Sequence, residues 1–201
     1  MRKVVLASGN AGKIREITDL FCDLGIEVVT MAQLGIDSPE ETGETFVENA
    51  LLKARHVATR TGLPAVADDS GIVVDALDGR PGVHSARYAG ENASDEQNVQ
   101  RLLDEMNNVP DEDRGGGFHC AAVLAFPDNE IEPLVAEAVW RGRILRQRSG
   151  HGGFGYDPVF LDVSANKTGA EMSRDEKNVI SHRGHAFRQL KRLVRERCRI
   201  E

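Results

Sequence analysis

At 201 residues, with 40% hydrophobic and 28% charged residues, the chain is long enough to bury a sizeable core and has the composition expected of a soluble globular protein. Its 25 Lys and Arg against 32 Asp and Glu leave a formal charge of −7. That balance argues against a nucleic-acid polymer as partner, because phosphate backbones need a basic surface. A single nucleotide stays compatible, since it needs only a local cationic pocket. The cysteines Cys22, Cys120 and Cys198 form no CxxC or other zinc spacing, which points to reduced thiols in a cytoplasmic protein. The apolar run after Arg2-Lys3 is too short for a signal peptide, and no segment reaches transmembrane length, so no membrane role is expected.

In chain order, Lys3 to Ala7 reads as a buried strand. Ser8-Gly9-Asn10-Ala11-Gly12-Lys13 follows as a Gly-rich turn, and Ile14, Ile17, Leu20 and Phe21 continue at helical spacing. Ile26 to Thr30 is a second strand, and the acidic stretch from Ile36 to Glu44 a loop. Thr45 to Thr61 is a helix that Gly62 ends. Ala65 to Asp75 reads as strand, turn and strand, with Asp68-Asp69-Ser70-Gly71 at the turn. Asp78-Gly79-Arg80-Pro81-Gly82 is a further turn, and Ala93 to Met106 a third helix. Asn107 to Gly117 is a polar connection. Phe118 to Phe126 and Pro133 to Trp140 are strands joined at Asp128-Asn129. Arg141 to Asp157 is a Gly-rich loop, Val159 to Leu161 a short strand, Ser173 to Ser181 a short helix, and His185 to Arg199 a terminal helix. The sum is an α/β protein with a mixed β-sheet and helices on its faces.

Four constellations carry chemistry. Asp68 and Asp69 are adjacent carboxylates on β-rich sequence, so their side chains point to opposite faces and do different jobs. Two such anions need a compensating cation, and Mg²⁺ is the commonest partner for oxygen ligands in phosphate chemistry. The turn Ser8 to Lys13 lies between a strand and a helix, where backbone N–H groups and Lys13 suit a phosphate. It matches neither the Walker A loop nor GxGxxG. One acid of the run Glu40 to Glu48 could join the aspartates around a metal, while the others suit a solvated helix start; Asn49 and Lys53 share a helix face behind them. Gly152-Gly153-Phe154-Gly155-Tyr156-Asp157 offers close backbone approach and aromatic surface for a base, although a glycine hinge would use the same residues. Lys177 and Ser181-His182-Arg183-Gly184 either complement helix termini or donate to carbonyl and phosphate oxygens.

Taken in order, these motifs resemble the inosine/xanthosine triphosphate pyrophosphatase family, the HAM1-like nucleotide hydrolases. The matching residues are Ser8-Gly9-Asn10 with Lys13, Glu41-Thr42-Gly43 with Thr45-Phe46 and Glu48-Asn49-Ala50, Ala67-Asp68-Asp69-Ser70-Gly71, Pro81-Gly82 with Ser85-Ala86-Arg87-Tyr88, Gly153-Phe154-Gly155-Tyr156-Asp157-Pro158, and Ser181-His182-Arg183-Gly184. The resemblance spans nearly the whole chain. It implies one domain over residues 1–201, with a long central mixed sheet and two lobes flanking an active-site cleft. It also implies Mg²⁺-dependent hydrolysis of ITP, dITP and XTP to the monophosphate and pyrophosphate, and a homodimer. By position, Asp69 matches the proton acceptor and a metal ligand, and Glu41 the second metal ligand. Ser8, Gly9, Asn10, Ala11, Gly12, Lys13 and Lys53 match phosphate contacts. Ser70, Phe154, Gly155, Tyr156, Asp157, Lys177, His182 and Arg183 match substrate and base contacts. Two other readings stay open on the residues alone: another metal-dependent nucleotide phosphatase or phosphotransferase, and a nucleotide sensor without turnover.

Overall fold

The structure, a computed structural model, describes residues 2–21 and 25–198. Cys22 lies outside the described residues, as do the side chains of Leu20 and Cys198. The regular elements are β1 (Lys3–Leu6), α1 (Ala11–Phe21), β2 (Glu27–Thr30), α2 (Phe46–Thr61), β3 (Ala65–Val74), α3 (Asp95–Glu105), β4 (Gly115–Ala125), β5 (Leu134–Ile144), β6 (Phe160–Asp162), β7 (Lys167–Thr168), α4 (Arg174–Ile180) and α5 (His182–Cys198). The seven strands form one sheet in the order β2-β1-β3-β4-β5-β6-β7. β1 pairs in parallel with β2 and β3, and β6 pairs antiparallel with β5 and β7, so the sheet is mixed.

The chain divides into two compact units. The first comprises Met1–Asp69, Cys120–Ala138 and Arg183–Glu201, the second Ser70–His119 and Val139–His182. In the first unit the strand period of two sorts side chains between two cores. Val4, Leu6, Val66, Cys120, Ala122 and Leu124 pack with Ile17 and Phe21 of α1 and with Phe187, Leu190 and Val194 of α5. The alternating residues Val5, Ala7, Ala65, Ala67, Ala121, Val123 and Ala125 pack with Ala50, Ala54, Val57 and Ala58 of α2. Alanine on both partners lets the α2 backbone lie close to the strands. α2 starts at a capping box, in which Thr45 accepts from the Glu48 N–H and Glu48 accepts from the Thr45 N–H. It stops at Gly62, whose φ of 65° favours a residue without a Cβ. In the second unit Ile72, Val74, Phe118, Trp140, Ile144 and Phe160 pack with Val99, Leu102 and Met106 around α3.

Several boundaries differ from the sequence reading, two of them because other atoms pass too close for a Cβ. Ala65 to Val74 is one continuous strand rather than strand, turn and strand. Gly71 is there for close approach: a Cβ on it would lie 2.4 Å from both the Gly82 carbonyl and Ser85 Oγ. Gly115 to Gly117 belong to β4 and not to a connection; a Cβ on Gly116 would lie 2.9 Å from the Val73 carbonyl, and one on Gly117 3.1 Å from that of Trp140. β5 runs on to Ile144, which shortens the Gly-rich loop. α5 begins at His182, three residues before the expected start, directly after Ser181 has closed α4 with a hydrogen bond to the Lys177 carbonyl.

Candidate active site

β3 delivers Asp68 and Asp69 to opposite faces of the sheet in the first unit. On the α1 and α5 face, Asp68 Oδ2 lies 3.1 Å from Lys13 Nζ and 3.2 Å from Arg183 Nε. Arg183 Nη1 then reaches Glu16 Oε2 at 2.5 Å. Lys13 and Glu16 stand three residues apart on α1 and so share a helix face. Arg183 is the second residue of α5. The result is a chain of alternating charge, the half-buried Lys13 followed by the buried Asp68, Arg183 and Glu16. Burial alone would raise the Asp68 carboxyl, but Lys13, Arg183 and Lys53 outweigh it and hold the group well below the usual carboxylate range. Burial likewise works against the Arg183 charge, and Asp68 and Glu16 more than restore it.

On the α2 face, Lys53 Nζ lies 2.8 Å from Asp69 Oδ1 and 2.7 Å from Glu41 Oε1. Asn49, one turn before Lys53, directs its Nδ2 to Asp69 Oδ2 at 3.5 Å. The same amide holds the loop that carries Glu41: Asn49 Oδ1 accepts from the Gly43 N–H at 2.8 Å, and Nδ2 donates to the Gly43 carbonyl at 3.3 Å. A Cβ on Gly43 would lie 2.7 Å from Asn49 Oδ1, so glycine is what allows this seat. Burial dominates the Asp69 carboxyl and raises it, although Lys53 and Lys13 pull the other way. Burial also opposes the Lys53 charge, but Asp69, Asp68 and Glu41 raise it overall. Two neighbouring carboxylates are thus pushed apart in proton affinity, the arrangement that separates a base from a permanent anion.

The donor set on this face fits a hard divalent cation. Glu41 and Asp69 converge on one ammonium and offer only oxygen. Among the described residues no group of three or more His, Cys, Asp or Glu forms a closed metal cage. Mg²⁺ asks for no such cage, because it takes one or two carboxylates and completes its shell with water and substrate phosphate.

The Gly-rich turn is organised by its own side chain. Asn10 Oδ1 accepts from the Gly12 N–H at 2.9 Å and the Lys13 N–H at 3.0 Å, and Ser8 Oγ accepts from the Asn10 N–H at 3.3 Å. Two of the amides expected to face an anion are therefore engaged by Asn10, which caps α1. Ser8 is buried, and Gly9, Asn10 and Ala11 are exposed at the mouth of the turn.

The remaining predicted residues, apart from Arg183, lie in the second unit. Asp157 is their hub. Its Oδ2 accepts from Lys177 Nζ at 2.6 Å and from the Phe154 N–H at 2.9 Å. Lys177 Nζ stands 4.7 Å from the Phe154 ring centre, a cation–π contact. Cβ atoms on Gly153 and Gly169 would lie 2.2 Å and 2.7 Å from the Asp157 carboxylate, so both glycines make room for it. The Gly155 N–H donates to Asp95 Oδ2 at 2.7 Å, and Tyr156 Oη donates to the Ser85 carbonyl at 2.9 Å. Ser70 is half-buried at the start of this unit. His182 stacks on Phe118, with ring centres 4.8 Å apart and planes 10° apart.

The sequence reading missed Glu16, Phe118 and Trp140. Glu16 had a usable signal, its i,i+3 spacing from Lys13. Phe118 and Trp140 had none, because aromatic residues on strands read as core. Arg183, grouped with the base contacts, is bound by Asp68 and Glu16.

The Ham1 family model matches residues 4–193. A dITP/XTP pyrophosphatase from Salmonella typhimurium is 55% identical over 190 residues, 94% of this chain and 96% of its own. The dITP/XTP pyrophosphatase of Yersinia pestis is 52% identical over 196 residues, covering 98% of this chain and all of its own. Among solved structures, a HAM1 protein from Coxiella burnetii superposes with a TM-score of 0.90 at 46% identity, over 98% of this chain and 100% of that one. With a family model over almost its full length and relatives above half identity, the chain belongs to the Ham1 family.

Proposed function

We propose that this chain hydrolyses non-canonical purine nucleoside triphosphates, dITP, ITP and XTP, to the monophosphate and pyrophosphate. The observation that carries the reading is the division of Asp68 and Asp69 between two faces of β3, one held as an anion by three cations and the other raised beside Lys53 and Glu41. It is supported by the activity for which the relatives are named.

In this reading Asp69 orients the attacking water and takes its proton as the water oxygen bonds to phosphorus. The α–β anhydride bond breaks, and pyrophosphate leaves with its electron pair. Lys13 and Lys53 place positive charge against the polyphosphate, so most of the rate comes from positioning and charge neutralisation. Ser8 to Gly12 bind the tail through the mouth of the turn. Glu41 and Asp69 would hold Mg²⁺, which when bound supplies further neutralisation of phosphate oxygens. His182, Phe154 to Asp157, Lys177 and Ser70 serve the base end. A 6-oxo group accepts a hydrogen bond where the 6-amino group of adenine donates, so donors aimed at that atom leave adenine with unpaired groups. Guanine is turned away by its 2-amino group. Arg183, held by Asp68 and Glu16, serves the base end with them.

We place the enzyme in the cytoplasm on its cysteine pattern, and as a homodimer on the resemblance. Among the described residues no helix is long and apolar enough to cross a membrane. The test is product analysis on a nucleotide panel with and without Mg²⁺. Pyrophosphate from ITP and XTP, with ATP and GTP far slower, is the expected result. Orthophosphate release would make the protein a different phosphatase, and binding without turnover would make it a sensor.

A further inference from the structure

As a base contact, the His182 imidazole can discriminate only if its plane is fixed. A ring nitrogen donates in the plane of the ring, so a ring free to turn aims at nothing. Here the plane is set by a rack of three aromatic side chains in the second unit. Phe118 lies parallel to His182 at 4.8 Å and 10°, and Trp140 lies beside both, its ring centre 6.2 Å from that of His182 at 14° and 6.0 Å from that of Phe118 at 24°. Phe160 closes the rack edge-on, with its ring centre 4.8 Å from that of Phe118 and 4.7 Å from that of Trp140. The rack is anchored by a polar bond, since Trp140 Nε1 donates to Asp162 Oδ2 at 2.7 Å. It also has a reserved space: a Cβ on Gly142 would lie 2.6 Å from Phe160 Cζ. All four rings are buried. An ordinary core needs apolar volume here, not two rings held parallel to a histidine.

We propose that Phe118 is a positioning residue for substrate selection, holding the His182 imidazole in the plane from which it reads the purine base, with Trp140 and its Asp162 anchor holding Phe118. The proposal rests on the function given above. It separates two roles for buried aromatics on one sheet: volume, which leucine can supply, and orientation, which it cannot.

The test compares Phe118→Leu with Phe118→Tyr, which keeps a ring in the stack. Activity on ITP and ATP is measured with KM and kcat resolved, and the ring-proton resonances of His182 are followed by NMR. Phe118→Leu should move those resonances downfield, as the ring current over the imidazole is lost. It should lower kcat/KM on ITP roughly tenfold, the scale of one loosened donor, while ATP changes much less, so the ITP-to-ATP ratio collapses. Phe118→Tyr should restore the ratio. In a His182→Ala background Phe118→Leu should have no further effect on the ratio. A Phe118→Leu enzyme that loses activity equally on both nucleotides, or alters the ratio just as strongly without His182, would overturn the proposal. Failure of the functional reading would show separately, in a wild-type enzyme that hydrolyses ATP as fast as ITP.

Discussion

The two faces of β3 carry the same residue type one position apart and treat it in opposite ways. On the α1 and α5 face, Asp68 is enclosed by Lys13 and Arg183, and Glu16 extends the alternation. On the α2 face, Asp69 meets Lys53 with Glu41 as a second anion and Asn49 as a weak donor. The first carboxylate is oversupplied with cations and stays ionised. The second shares one close ammonium with another acid and keeps a higher proton affinity. A strand can therefore set the roles of adjacent acids without distance between them. The pleat sends each to a different helix, and the charges on that helix decide the rest.

Neutralising Asp68 should have the largest effect on stability. Asp68→Asn leaves the buried Arg183 and the half-buried Lys13 with less counter-charge, and breaking a buried pair in this way costs about 3–5 kcal/mol. Chemical denaturation should show that loss, with activity falling on every nucleotide alike. The sign with pH follows from the lowered carboxyl. Its stabilisation is complete above the ordinary carboxylate range and fades as pH falls toward the folded-state value. Acid unfolding should therefore be shallower in Asp68→Asn than in the wild type.

Asp69→Asn should behave as the mirror image. Turnover should fall at least about a hundredfold, the scale of positioned acid–base catalysis, while the unfolding midpoint stays close to that of the wild type. Near-normal pyrophosphate release from the folded variant would remove Asp69 from the chemistry.

Lys13→Ala has the smallest expected effect, because Arg183 still compensates Asp68. It should weaken nucleoside triphosphate binding about tenfold, in line with one lost charge-assisted contact, and monophosphate binding less. Equal weakening of both, measured by titration calorimetry, would show that Lys13 supports Asp68 without touching the polyphosphate.

Much of this is legible in the chain. Strand alternation alone assigns Asp68 and Asp69 to different faces, and four-residue spacing aligns Asn49 with Lys53 toward one of them. The capping residues Thr45 and Gly62 mark both ends of α2 within one position. What sequence does not supply is long-range pairing. Nothing near Asp68 announces that Arg183, 115 residues later, will close on it. The glycines mislead for a related reason. Gly71 and Gly115 to Gly117 look like turn residues, but they sit inside strands because backbone and side-chain atoms from other segments lie too close for a Cβ. Close approach and local flexibility leave the same letter in a sequence.

The central claim, that one strand separates a permanent anion from a proton acceptor, is tested most directly by titrating the two side-chain carboxyl carbons by NMR in metal-free protein. Asp68 should stay ionised well below the ordinary aspartate value of 3.8, and Asp69 should titrate above it. A reversed order, or two carboxyls titrating together at the ordinary value, would contradict it.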